Sequence, residues 1–452
     1  MSAHLVERPP GAVLFRAPAS AHGGAMPDGV VTGETFLRAA HRVAASLGGD
    51  GPVLNLCADR ALFALAFAAA LLRGWPCVLG GADPSGTLSA SLLARFPGAW
   101  VVAGAGDLPA GVAGQEIALV AEDARGPSAP NPLLPGDQVA AYALTSGSTG
   151  TPASHAKPWG ALAARSRAAG VRFDLHEARP ATVVGTVPPQ HMYGFETTVL
   201  LPLHAAASSW CGPAFYPADV RGALAAAAAP AVLVTTPLQM RALLLGGAMP
   251  AFAAAISATA PLDARLAAAA EQAWDVPVLE IYGATEAGSV ASRRTAEGDA
   301  WQPYPGVAVV QDGEVAVATA EGAVPQALAD SVVLLPGGDF RLLGRRADLV
   351  KLGGRRASLA GLTSILCGLD GVLDGAFAAP DDLECRASAR LLAFAVAPER
   401  SAESILAELR GRVEPVFLPR RVIRVPRLPR TAMGKLPRQA LLALATGTGD
   451  VA

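Results

Sequence analysis

The sequence predicts an α/β protein: a large N-terminal domain of parallel sheets covered by helices, a small β subdomain within it, and a small α+β C-terminal domain. Two observations carry this. Between Thr32 and Tyr282 short apolar runs alternate with helical patterns, and strands apolar on both faces belong in parallel sheets with helices on each side. After Tyr304-Pro305-Gly306 the chain turns to short strands punctuated by Gly and Pro, and after Gly344 its character shifts again. The 452 residues are too many for one compact core. The division expected is a domain of residues 1–346, with the β subdomain from about 305, and a domain of residues 347–452.

Taken in order, Thr32 caps a helix running to Leu47, with Phe36, Leu37, Ala40, Val43, Ala44 and Leu47 on one face. Residues 53–57 read as a buried strand, 61–73 as a helix and 75–79 as the next strand. Strands 100–103 and 139–145, helix 161–169 and strand 182–187 follow. Then come strand 232–235, helix 238–245, strand 256–258, helix 263–274 and strand 278–282. The β subdomain is read from strands 307–310, 314–318, 331–335 and 340–343. The last unit combines strands 349–352, 375–379, 391–397 and 421–425 with helices 359–368 and 402–412. At roughly a hundred residues it has the usual size of a domain.

Composition narrows the class. Hydrophobic residues make up 52% of the chain and charged ones 16%, which suits a well-buried enzyme rather than a disordered chain. A net charge of −2 provides no electrostatic footprint for nucleic acid. Cys57, Cys77, Cys211, Cys367 and Cys385 are scattered without metal-ligand spacing, and an odd, sparse set suits a reducing, cytoplasmic compartment. Residues 1–33 lack a basic stretch followed by an apolar one, so no secretory signal is expected. Two long uncharged runs, 197–218 and 222–240, are broken by Pro, Ser, Thr and His. They read as buried helix–turn–strand segments, so no membrane insertion is expected.

Thr145-Ser146-Gly147-Ser148-Thr149-Gly150 follows the apolar run 139–144, and a helical pattern comes after Pro158. Such a loop suits polyphosphate, because glycines allow close backbone approach while hydroxyls and N–H groups bond the oxygens. On these six residues alone a Ser/Gly-rich surface turn fits equally well. Three further stretches bear on the choice: Tyr282-Gly283-Ala284-Thr285-Glu286 at a strand end, Gly344–Arg356 with its arginines at the domain boundary, and Leu428–Lys435 near the C-terminus. Each alone could be a turn or a solvated charge run. No Gly-Lys-Ser/Thr follows the glycines, so the loop is not a P-loop.

In order and spacing, these four motifs resemble those of the adenylate-forming superfamily of acyl- and aryl-CoA synthetases, peptide-synthetase adenylation domains and luciferases. The resemblance spans Tyr142 to about Arg438. It implies ATP-dependent activation of a carboxylic acid to an acyl-AMP with pyrophosphate release. Transfer to a thiol, of CoA or of a phosphopantetheinyl carrier protein, would follow. Attack of a carboxylate on a phosphate brings anions together, so positioning and charge neutralisation dominate.

By the same resemblance Thr145–Gly150 would hold the phosphates, Glu286 would ligate Mg²⁺ and Thr285 would reach the α-phosphate. Tyr282 would lie against the adenine, and Gly283 and Ala258-Thr259-Ala260 would bind the nucleotide. Asp330 and Arg345 would hold the ribose, with Arg356 on the nucleotide side. Ala347 would be the hinge on which a mobile C-terminal domain turns. Lys435 would bridge the carboxylate and the α-phosphate in the adenylation step.

The chain departs from the family pattern in three places. Ala153 stands where the phosphate loop usually ends in Lys, and the nearest cation is Lys157. Ala347 stands at a hinge that is usually Asp or Lys. Residues 257–262 replace a segment usually written with Gly pairs, which would shorten the acyl pocket.

For the acid, Pro188–Gly194 would line the pocket, with His191 as its gate and Tyr193, Ala284 and Ser289 in its wall. This is similar to 4-coumarate–CoA ligases, in which the Tyr meets a phenolic hydroxyl, so an aromatic or hydroxyaromatic acid is expected. The alternative is that His191 caps or packs internally and Tyr193 is core. Glu196 is placed to orient His191 or to contact a hydroxyl. The short N-terminal region is also similar to compact acyl-activating ligases of aryl-polyene and pigment clusters, hence the carrier protein as alternative acceptor. Two other readings remain open: an amino-acid adenylation unit, and a nucleotide-binding homologue without turnover, to which Ala153 and Ala347 would point.

Overall fold

The computed structural model describes residues 1–18, 21, 26–79, 90–145, 153–227, 230–313, 315–320, 323–345, 349–352, 355–380, 390–430 and 436–446. Two large sheets dominate. The first has six strands, in the order Ala153–Pro158, Val139–Thr145, Cys77–Leu79, Val53–Asn55, Trp100–Ala103, Gly114–Glu116. All are parallel except the edge strand Ala153–Pro158. The second has nine strands, and its centre is a parallel run ordered Val278–Ala284, Ala254–Ser257, Ala231–Thr235, Ala181–Gly185, Ala207–Trp210, Val13–Arg16. Antiparallel strands close it at both edges: Gly288–Arg294 and Gln302–Pro303 at one, Val30–Thr32 at the other.

Helix α1 (Gly33–Ser46) starts where the sequence predicts, with the Thr32 side chain accepting from the Thr35 N–H, one of the donors a helix start leaves unpaired. Helix α2 (Arg60–Leu72) is apolar around its whole circumference. That pattern requires burial on every side, and α2 accordingly touches Val53–Asn55 and Cys77–Leu79 of one sheet and Ala207–Trp210 of the other. Phe63 and Phe67 on α2 pack edge-on against Phe195 at 6.2 and 5.0 Å. Each such buried side chain contributes about 1.5–3 kcal/mol. Helix α3 (Trp159–Arg172) begins directly after Pro158.

The sequence reading carries the chain from the glycine-rich loop to this helix without an intervening strand, and the structure corrects it. Ala153–Pro158 turns back antiparallel to Val139–Thr145, with Ala153 opposite Thr145, so residues 146–152 join the two arms of a hairpin. The strand is composed of Ala, Ser, His, Lys and Pro and lacks apolar alternation, which is why its pairing is not visible in the sequence. Strand Val278–Ala284 runs two residues beyond its expected end, because its pairing with Gly288–Arg294 continues through a register shift between Tyr282 and Gly283.

Beyond Tyr304, Val307–Asp312, Val315–Ala320 and Gln326–Ala327 form a three-stranded sheet, and Asp330–Leu334 pairs with Phe340–Arg345. Past residue 349 come a hairpin of Leu349–Leu352 with Arg355–Ser358 and a three-stranded sheet of Asp374–Ala378, Leu392–Val396 and Val422–Arg424, with helices Leu359–Cys367 and Ala402–Leu409. Among the described residues, the two apolar clusters built from residues 350–445 include none from the preceding part of the chain.

Candidate nucleotide and acyl site

The parallel strands of the nine-stranded sheet all point their carboxyl ends to one edge, where open α/β sheets bind ligands. Residues far apart in sequence meet there. Thr186–Gln190 and His191 follow Ala181–Gly185, Ala258–Ala260 follow Ala254–Ser257, and the turn Thr285-Glu286-Ala287 follows Val278–Ala284. The loop that delivers His191 is anchored from the start of α2 and the segment before it: buried Arg60 donates through Nη2 to the carbonyls of Gly185 and Val187, and Gln190 Nε2 donates to Cys57 O at 2.8 Å. His191 is exposed at the N-terminal boundary of a short helix and makes no side-chain cap bond there.

Below the turn lies a buried polar cluster. Glu196 opens a π-helical turn, Glu196–Leu200, a distortion found frequently at functional sites. Its Oε2 accepts from Ser289 Oγ and its Oε1 from Ser289 N–H at 3.2 Å. Gly288 has φ +74° and a side chain there would sit 2.7 Å from Glu196 Oε1, so a substitution at 288 is strained and must displace the Glu196 carboxylate. Ser289 is thus buried and bonded to Glu196. Glu196, expected beside His191, is likewise spoken for.

Lys157 completes the cluster from the other sheet. It is 6% exposed, and its Nζ donates to Glu286 O at 2.7 Å. Burial lowers its pKa to about 8; the Glu196 and Glu286 carboxylates resist that fall and Arg165 adds to it. Burial also lowers the Arg165 pKa and raises that of Tyr304.

On the nucleotide side the structure brings three predicted residues together. Tyr282 OH donates to Asp330 Oδ2 at 2.8 Å, and Asp330 stands directly opposite Arg345 in the ladder. The Tyr282 ring is 9% exposed and packs on Trp301 and Phe340, so its contact with a base is limited to its exposed rim. Arg356 lies opposite Lys351 in the hairpin that meets the Arg345 strand. The approach is close: a side chain at Gly344, where φ is +106°, would strike Ser358. Ser146–Gly150, Ala347 and Lys435 lie outside the described residues.

Tyr193 departs from expectation. Its hydroxyl lies against the carbonyls of Ile256 at 2.8 Å and Thr235 at 3.2 Å, at the ends of two strands, and burial raises its pKa well above the ordinary value. A single phenol proton so engaged is not offered to a substrate phenol. Tyr193→Phe is therefore expected to cost about 1 kcal/mol in urea-unfolding stability, with acid selectivity unchanged. A shift in preference between hydroxylated and plain aromatic acids would restore the substrate contact.

Thr259, in the segment expected to crowd the pocket, has φ +78°, a conformation that a β-branched side chain adopts at a cost. Thr259→Gly is expected to stabilise the protein by about 1 kcal/mol; a lower denaturation midpoint would show that the threonine's contacts outweigh the strain. The segment is held by Glu280, which the sequence reading passes over although a lone charge in the apolar run 278–282 signals it. Glu280 is 3% exposed; its Oε1 accepts from Leu262 N–H at 2.7 Å and its Oε2 from Arg293 Nε and Thr295 Oγ1, both at 2.8 Å.

Among the described residues no group of three or more His, Cys, Asp or Glu is arranged to hold a metal ion. A half-buried single carboxylate such as Glu286 nevertheless suits Mg²⁺ beside a polyphosphate, since that ion keeps waters and phosphate oxygens as its other ligands. No helix among the described residues is long and apolar enough to cross a membrane.

With this geometry in place, a family model described as AMP-binding enzyme matches residues 90–329. A 4-coumarate–CoA ligase of Rhodobacter capsulatus is 30% identical over 270 residues, an alignment taking in 60% of this chain and 66% of that protein, just under two thirds of its length. ATP-bound MatB from Rhodopseudomonas palustris has the same fold, with a TM-score of 0.78 over 97% of this chain and 96% of that one at 19% identity. So does the O-succinylbenzoate coenzyme A synthetase of Bacillus subtilis in complex with ATP and magnesium ion, with a TM-score of 0.77 over 98% and 100% at 16% identity.

Proposed function

From the premise that this chain belongs to the AMP-binding enzyme family, we propose that it activates a carboxylic acid with ATP, forming an acyl-AMP and pyrophosphate, and passes the acyl group to a thiol. The observation that carries this reading is the convergence at one sheet edge of the Thr285–Glu286 turn with Ala258–Ala260 and His191, beside the Tyr282–Asp330 bond and its register partner Arg345. In this reading Asp330 and Arg345 hold the ribose, Thr285 contacts the α-phosphate, and residues 145–150 hold the remaining phosphates. Glu286 would hold Mg²⁺, which supplies charge neutralisation on the phosphate oxygens. His191, exposed at the mouth, gates the approach of the carboxylate. Lys435 arrives from the C-terminal domain, residues 347–452, which turns about Ala347 between the half-reactions.

The acid is proposed to be aromatic, supported by the similarity to a 4-coumarate–CoA ligase. CoA is the proposed acceptor, with a phosphopantetheinyl carrier protein as the alternative thiol, and the reaction is placed in the cytoplasm. An amino-acid substrate is disfavoured by a specific contact: Glu196, the acidic residue nearest the pocket stretch, is bound to Ser289 and is not presented to an α-ammonium.

The test is ATP–pyrophosphate exchange with a panel of aromatic, aliphatic and amino acids, followed by product mass with CoA and with carrier protein. Exchange driven by aromatic acids is expected. Exchange driven only by amino acids would replace the substrate assignment, and none with any acid would leave a nucleotide-binding homologue without turnover.

A further inference from the structure

We propose that Lys157 is a positioning residue that pins the turn carrying Thr285 and Glu286 to the strand leaving the glycine-rich loop, supplying from the strand the cation that Ala153 does not supply at the loop. The proposal rests on reading this edge as the ATP site.

Three observations carry it. Lys157 lies on Ala153–Pro158, the strand paired antiparallel with Val139–Thr145, with Ala153 opposite Thr145. Its Nζ crosses from the six-stranded to the nine-stranded sheet and donates to the main-chain carbonyl of Glu286 at 2.7 Å. It does so while 6% exposed, with the carboxylates of Glu196 and Glu286 close enough to favour its charge. A buried ammonium bonded to a carbonyl makes a charge-assisted hydrogen bond, stronger than a neutral one, and here it is a direct tie between the two sheets at the site. The tie ends on the turn's main-chain carbonyl, so it does not occupy the Glu286 carboxylate. Lys157 therefore does not need to touch a phosphate to matter for phosphate binding. It fixes the turn of Thr285 and Glu286 against the strand Ala153–Pro158, the two elements between which a magnesium–triphosphate unit would be held.

The test uses the full chain and MgATP alone, measured by calorimetry without any acid, together with exchange kinetics. Lys157→Met keeps the aliphatic stem and removes the donor; Lys157→Gln keeps a neutral donor. Lys157→Met is expected to weaken MgATP binding about tenfold or more, the size of one lost hydrogen bond to a charged donor. The Mg²⁺ concentration needed for half-maximal exchange should rise in parallel. The KM for the acid and kcat at saturating MgATP should stay within about twofold. Lys157→Gln should fall between wild type and Lys157→Met, and it decides the matter if the methionine variant does not fold. MgATP affinity unchanged in the folded variants, or equal losses for MgATP and acid, would overturn the positioning role. Failure of the wild type to bind MgATP would instead overturn the ATP-site reading and the proposal with it.

Discussion

Lys435→Ala is expected to slow acid-dependent ATP–pyrophosphate exchange by about 10²–10³-fold, the loss that follows removal of one donor aimed at charge developing in a transition state. The reason lies in the reaction. A carboxylate must approach an α-phosphate that already carries negative charge, and a cation reaching both lowers the barrier only while they combine. Thiol attack on a preformed acyl-adenylate expels AMP and does not require that bridge. Consumption of supplied adenylate with CoA should therefore stay within about threefold of wild type. The variant thus separates the half-reactions. Equal losses in both would assign Lys435 to the fold or to AMP binding instead.

Glu196→Ala is expected to cost about 3–5 kcal/mol of stability, because removing one member of a buried charged cluster leaves the others uncompensated. The Ser289 hydroxyl and N–H lose their acceptor, and Lys157 and Arg165 lose the carboxylate that favours their charged forms. Glu196→Gln keeps an acceptor for Ser289 and removes only the charge, so its loss should be clearly smaller. Urea unfolding of the two variants measures both costs. A loss below about 1 kcal/mol in the alanine variant, the range of exposed pairs, would mean that water reaches the cluster and screens it. Because Ser289 lies in the strand paired to Val278–Ala284, the same variant should also weaken MgATP binding through the turn between them.

Most of the secondary structure was legible, for local reasons. Val139–Thr145, Trp100–Ala103 and Leu349–Leu352 appear with the ends expected, since each is a short, mainly apolar run bounded by breaks in the pattern. Helix α1 and its Thr32 cap were legible because capping and amphipathic spacing are both local. Ala153–Pro158 was not, because its pairing depends on a neighbouring strand rather than on its own composition.

By itself, the sequence determined the α/β class, the order of the motifs and the chemistry their residue types suit. It also marked Ala153 as the place where a cation is missing and Lys157 as the nearest candidate. The tertiary structure decided what each side chain is used for. Tyr193 and Ser289 read as pocket residues from the sequence, and the fold places strand-end carbonyls against one and a buried carboxylate against the other. Those partners lie 63 and 93 residues away, beyond the reach of any local pattern. The same holds for Lys157, whose partner Glu286 is 129 residues distant and in another sheet. Periodicity and capping act within a turn or a strand. A hydrogen bond between sheets exists only once both have folded and packed, so what a polar side chain is for was settled by the packing.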